Sequence, residues 1–160
     1  ETSVGEYPVE VITTMRNIIK TFENSELIQS PVASVQCLNE RYITKAICQQ
    51  AATMADEIDA TAITTLTNSG YTAFQISAWR PKSNILAFSD NPRILAMLNL
   101  LWGVKAQFYD KMVSTDDTVE DINKITLEEN YAEKGDYVIN LTSMPVQAKG
   151  MVNTLRISQL

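Results

Sequence analysis

The sequence predicts an α/β fold: three layers, α/β/α, around a five-stranded mixed sheet, mostly parallel, with the last strand antiparallel at an edge. From residue 61 onward, short β-branched or apolar runs alternate with amphipathic helical patterns. Such alternation with short loops argues for parallel strands covered on both faces. The last two strand-like runs are joined by a loop without helical periodicity, so they pair antiparallel. Two helical segments precede the alternation, and neither an internal repeat nor a low-complexity linker divides the chain, so it reads as one domain.

The elements follow in order. Pro8 suits the first position of a helix, and Val11, Met15, Ile18 and Phe22 recur at helical spacing to an end near Asn24-Ser25. Residues 26–40 read as a connection broken by Ser30-Pro31. A second helix spans about Asn39–Ile58, with Ile43, Ala46, Ile47, Met54 and Ile58 expected on its buried face. Thr61–Leu66 is a strand, and Tyr71–Trp79 a helix ended by Arg80-Pro81. Ile85–Phe88 is a short buried strand. Asn91-Pro92 opens a helix over Arg93–Leu101, and Gly103 suits the left-handed residue that ends it. Val104–Tyr109 is a strand. Ser114, Thr115 or Asp116 opens a helix running to Asn130, and Lys134-Gly135-Asp136 turns into a strand over Tyr137–Leu141. A loop from Thr142 to Gly150 leads to a last strand, about Asn153–Ile157.

Composition excludes several functions. The 160 residues are 45% apolar, enough for a real core. No apolar run is long enough to span a membrane, and the opening residues lack the basic and apolar regions of a signal peptide. The missing initiator Met points to a processed chain or a piece of something longer. A net charge of −6 argues against a nucleic-acid partner. Cys37 and Cys48 have no metal or redox spacing and read as buried thiols in a reducing, cytoplasmic setting. There is no histidine, which removes Ser-His-Asp and Cys-His catalysis and the histidine zinc sites together. No nucleophile–base pair is recognisable, so an independent enzyme is the weakest reading and no cofactor is expected.

The most informative stretch is Leu66-Thr67-Asn68-Ser69-Gly70-Tyr71-Thr72-Ala73. A strand passing through a Ser/Thr/Gly turn into a helix gathers hydroxyls and unpaired N–H groups at the helix N-terminus, where the dipole favours an anion. The plainer alternative is a cap with no ligand. In open α/β sheets, ligands bind beyond the carboxyl ends of the strands where strand order reverses. If the first and fourth strands are neighbours there, the Thr67–Thr72 turn and the Thr142–Gly150 loop face one crevice. Lys149 and Lys82 are candidate phosphate partners or merely solvated cations. Trp79 and Trp102 read as core rather than sugar platforms, and Tyr131 and Tyr137 as packing residues. Asp116, Asp117, Glu120 and Asp121 lie where a helix begins and suit its dipole without a metal.

These residues resemble a known family. Glu1-Thr2-Ser3-Val4-Gly5-Glu6-Tyr7-Pro8-Val9-Glu10 followed by Met15 resembles the segment of pyruvate kinases that closes the catalytic barrel and starts the C-terminal domain. Thr67-Asn68-Ser69-Gly70-Tyr71-Thr72-Ala73 resembles the family's T-x-S-G-x-[ST]-A loop. Arg80-Pro81 with Ile85-Leu86-Ala87, Asn91-Pro92-Arg93, Trp102-Gly103-Val104, Lys134-Gly135-Asp136-Tyr137-Val138 and Asn153-Thr154 match in order. The resemblance implies a pyruvate kinase C-terminal domain over residues 1–160, with 1–8 a remnant of the barrel exit. It implies no catalytic residue here. The lysine, the Mg²⁺ ligands and the K⁺ site belong to the absent barrel. It further implies a phosphorylated-sugar effector bound by Thr67, Asn68, Ser69, Gly70 and Thr72, with the late loop, including Thr142, Ser143, Lys149 and Gly150, folding over the sugar. Self-association is implied too, as a homodimer for the fragment and a homotetramer for the full enzyme.

Asn68 and Tyr71 bring no charge where many family members carry Lys or Arg. A charge-assisted hydrogen bond is about twice as strong as a neutral one, so the loss costs about 1–3 kcal/mol. The late loop has one cation, Lys149, and no arginine lies between Arg93 and Arg156. This favours a monophosphate effector, or a vestigial site, over tight bisphosphate binding. The alternative from another class is a stand-alone ligand-binding or sensor domain that never had a barrel. The match over Glu1–Met15 favours the regulatory domain.

Overall fold

The structure, a computed structural model, describes residue 2 and residues 4–23, 41–111, 114–144 and 151–160. The chain divides into two compact units, Glu1–Val32 and Ala33–Leu160. The first holds helix α1 (Pro8–Glu23), which begins at the proline whose missing N–H costs nothing in a first turn. Glu10 in its first turn and Lys20 in its last complement the helix dipole.

The second unit is built from α2 (Tyr42–Glu57), β1 (Ala62–Leu66), α3 (Tyr71–Ala78), β2 (Asn84–Ser89), α4 (Pro92–Leu98), β3 (Val104–Phe108), α5 (Thr115–Glu128), β4 (Tyr137–Thr142) and β5 (Thr154–Gln159). The sheet order is β3-β2-β1-β4-β5. β1 runs parallel to both β2 and β4, and β2 parallel to β3. β5 pairs antiparallel with β4 at the edge, as the helix-free connection requires.

Side-chain alternation splits the core into two layers. Ile63, Ile85, Ala87, Ile139 and Leu141 face Cys48, Ala51 and Ala55 of α2, Ala73 and Ile76 of α3, and Leu98 of α4. Ala62, Leu86, Phe88 and Val138 face Ile122 of α5 with Tyr109 and Ala132. Several polar groups inside the fold are joined in one network. Asn140 donates to Thr64 Oγ1 at 2.8 Å and to Asn123 Oδ1 at 2.9 Å, and accepts from Ser158 Oγ at 2.8 Å. That network links β1, β4, β5 and α5 across one sheet face. Thr65 Oγ1 is buried with no partner among the described residues.

Local chemistry sets the boundaries. Asn91 Oδ1 accepts from Arg93 N at 3.0 Å, with Pro92 at N1 of α4. Ser114 Oγ accepts from Asp117 N at 3.2 Å and so caps α5. Gly103 and Gly135 have φ of 68° and 98°, conformations glycine adopts without steric cost.

Three expectations are corrected. Thr44, Cys48, Ala51, Ala52 and Ala55 form the buried stripe of α2, while Ile43 is 51% exposed. Small residues let the helix backbone lie close to the sheet, and of the expected residues Ile47, Met54 and Ile58 pack partly buried against that core. The fourth helix stops at Leu98 rather than Leu101, because the next turns tighten into bonds from Leu100 N to Met97 O and Leu101 N to Leu98 O. Tyr137 begins β4 and stays exposed, whereas Tyr131 packs against the α5-side core as expected.

Candidate functional site

Strand order reverses between β1 and β4. The chain builds outward from β1 through β2 to β3, then crosses back by α5 to β4 on the other side. Thr65 lies in register with Leu141, so the segments after both strands leave the sheet side by side at its carboxyl end, the place where open α/β sheets generally bind ligands.

The turn after β1 is anchored at both ends. Thr67 N donates to Phe88 O at 2.8 Å, and Thr67 Oγ1 accepts from Gly70 N at 2.9 Å. The Thr67 hydroxyl, buried at 5% exposure, therefore organises the turn and keeps its own proton to donate. Asn68 and Ser69 are exposed. Gly70, at φ 78°, is the N-cap of α3, and no cap side chain bonds the helix's first turn. A Cβ on Gly70 would stand 3.1 Å from Leu98 Cδ2 and from Met97 Cε. Glycine there meets both a left-handed φ and a close approach of α4. Thr72 is buried in the first turn of α3, which carries no acidic side chain. The turn thus offers unshared N–H groups and a positive dipole end to an anion.

The loop after β4 is tied at its base. Ser143 Oγ donates to Met151 O at 2.9 Å, and Asn153 N to Thr142 O at 3.2 Å. The Asn153 side-chain amide bonds both polar groups of the Met144 backbone, accepting from N at 2.8 Å and donating to O at 2.9 Å. Thr142 is buried, and Ser143 half-buried. Lys149 and Gly150 lie outside the described residues, as does Cys37. The structure thus brings Thr67, Asn68, Ser69, Gly70 and Thr72 to the same end of the sheet as Thr142 and Ser143. Lys82 precedes β2 and sits at the opposite, amino end.

Helix α2 was not expected at the site. Its N-cap residue and first turns reach both segments: the Arg41 guanidinium lies 4.4 Å from the centre of the Tyr71 ring, and Thr44 Oγ1 donates to Val152 O at 3.4 Å. Cys48 Sγ donates to Thr72 O at 3.9 Å. Burial pushes the Cys48 thiol up to about 12, so it is a packing group rather than a nucleophile.

Several charged groups elsewhere have protein partners. Asp116 pairs with Arg156 at 2.8 Å, and Asp121 with Lys111 at 2.9 Å. The Lys111 hydrogen bond holds the Asp121 carboxyl below its ordinary range. Backbone N–H donation from Glu133, then the Thr61 hydroxyl, lowers Asp136 likewise. Arg80 lies 5.3 Å from the Trp102 ring centre. Among the described residues no cluster of three or more His, Cys, Asp or Glu could hold a metal ion, and no helix is long and apolar enough to cross a membrane.

Comparison with known proteins agrees with this architecture. Residues 45–158 match the family model described as pyruvate kinase, alpha/beta domain. The chain is 31% identical over 157 residues to the pyruvate kinase of Clostridium acetobutylicum, covering 98% of this chain and 33% of that protein. It is 32% identical over 157 residues to that of Bacillus licheniformis, covering 98% and 27%. A crystal structure of a pyruvate kinase from Cryptosporidium parvum superimposes with a TM-score of 0.77 at 23% identity, over 99% of this chain and 31% of that one. The chain thus spans about a third or less of the length of these relatives, matching their C-terminal part.

Proposed function

The chain belongs to the pyruvate kinase family through its alpha/beta domain, and from that premise we propose that it is the regulatory and assembly domain of a pyruvate kinase. The effector is a phosphorylated sugar, its phosphate seated on Thr67, Asn68, Ser69, Gly70 and Thr72. The loop carrying Thr142, Ser143, Lys149 and Gly150 closes over the sugar. The neighbouring placement of β1 and β4 supports this reading, because both loops start from adjacent strands at the same end of the sheet.

Transfer of phosphate from phosphoenolpyruvate to ADP belongs to a barrel outside these residues, as do the Mg²⁺ and K⁺ that such a barrel would hold. The 160 residues themselves act as one non-catalytic domain, with 1–8 the exit segment of that barrel, in the cytoplasm. The effector acts by population shift, binding the active arrangement of subunits better than the inactive one. Self-association, as a homodimer of this chain and a homotetramer of the longer protein, is supported by β5. It is an edge strand with Ile157 45% exposed, and an open edge is a template for pairing.

Isothermal titration calorimetry with a hexose monophosphate tests the reading. The native chain is expected to bind, and Thr67→Ala combined with Thr72→Ala to lose binding. Unchanged binding by the double variant would sink the loop assignment.

A further inference from the structure

We infer that Asn99 closes the β3 edge of the sheet: its side-chain oxygen occupies a backbone N–H that an added strand would need, so strand pairing is turned away from that edge. The inference goes beyond the effector and assembly reading above and stands whether or not that reading holds. β3 has one neighbour, β2, so its other side is an edge. Two bonds at its ends show which of its N–H groups face outward. Ile85 N donates to Gly103 O at 3.0 Å, and Tyr109 N donates to Ser89 O at 3.0 Å. Along a strand the backbone groups alternate sides with a period of two. Lys105, Gln107 and Tyr109 therefore turn their N–H groups to β2, and Val104, Ala106 and Phe108 turn theirs outward.

An open row of N–H and C=O groups is a template for another chain. On β3, two of the outward N–H groups are already engaged from within. Val104 N donates to Leu101 O at 3.4 Å, and Ala106 N donates to Asn99 Oδ1 at 3.4 Å. Asn99 is the C-cap residue of α4, its own N–H bonded back to Leu95 O and Met97 O. From that fixed point its exposed side chain reaches seven residues forward to the middle of the strand. The connector from α4 thus folds back along the edge it feeds. Both bonds are long, so they add little to stability, and their effect is to occupy the donors. Lys105 adds an exposed cation on the same strand, a charge of the kind that blunts sheet edges. Closure matters here because Phe108 and Leu100, large apolar side chains at the two ends of β3, are exposed. An edge flanked by exposed apolar groups is the pattern that recruits other chains.

The test uses the 160-residue chain with Asn99→Ala, which removes the acceptor, and Asn99→Asp, which keeps one. Hydrogen exchange of the Ala106 amide is followed by NMR, and association by sedimentation velocity over a rising concentration series. In Asn99→Ala the Ala106 amide is expected to exchange about threefold to tenfold faster, as the loss of one hydrogen bond gives. The amides of Ile85 and Ala87 in β2 should keep their native rates. A larger species absent from the native chain should appear as concentration rises. Asn99→Asp should match the native chain in both measurements. If Ala106 exchange is unchanged in Asn99→Ala, or rises with no added species, the inference is overturned. Faster exchange throughout the core with a lower thermal midpoint would make Asn99 an ordinary stabilising cap and overturn it equally.

Discussion

Replacing Gly70 with alanine tests the geometry of the turn that this account depends on. Gly70 sits at φ 78°, where an L-residue costs about 1–2 kcal/mol. The added Cβ would lie 3.1 Å from both Leu98 Cδ2 and Met97 Cε. Met97 is 46% exposed, and its terminal methyl can swing away, but Leu98 is fully buried and has little room to move. Crowding of this kind costs about 1 kcal/mol or more. Together the terms give about 2–3 kcal/mol, a substantial part of the 5–15 kcal/mol by which domains are ordinarily stable. Urea unfolding of Gly70→Ala should show a lower midpoint with an unchanged slope. Pairing it with Leu98→Ala in a double-mutant cycle should return the crowding part, as a coupling energy, but not the conformational part. A loss below about 0.5 kcal/mol, the range of ordinary surface substitutions, would refute the argument that the turn needs glycine.

Two further outcomes are expected. Asn140→Ala should destabilise by about 3 kcal/mol, since it leaves a small cavity and strips partners from Thr64, Asn123 and Ser158; a urea-measured loss under about 1 kcal/mol would mean the network is slack. Asp136, whose carboxylate accepts from Glu133 N and Thr61 Oγ1, has a folded pKa below its unfolded one. Its contribution is therefore present above the unfolded value and is lost as pH falls through the folded value. Asp136→Asn should cost stability at neutral pH and show a smaller loss than the native chain on acidification, and identical acid profiles would contradict this.

Most of the fold was legible because the local signals were redundant. β1, β2 and β4 are apolar or β-branched runs bounded by turn residues, Asn91-Pro92 is a cap that a sequence states outright, and the structure selects Ser114 from the three candidate caps of α5. Gly103 and Gly135 stand where positive φ is needed. Asp59, Arg80 and Asn130 also take positive φ, each directly after the C-cap residue of α2, α3 or α5, where a left-handed residue commonly ends a helix. On α2, Ile47, Met54 and Ile58 do pack against the core, but the deepest positions fall to the small residues that let a helix approach a sheet, which apolar size alone does not mark. The two loops were legible as a turn motif and a long connection, and the placement of their first residues at one end of the sheet follows from β1 and β4 being neighbours. Arg41 was not legible. Its contact with Tyr71 joins residues from separate elements, and a stack between them has no periodicity or motif to announce it.

The central claim is that the site at the carboxyl ends of β1 and β4 takes the phosphate of a phosphorylated sugar. Residue-by-residue NMR mapping of a hexose monophosphate titration tests it most directly. Saturable shifts concentrated on Asn68–Ala73 and on Thr142 and Ser143 are the expected result. Shifts that gather elsewhere on the chain, or none at millimolar sugar phosphate, would contradict it.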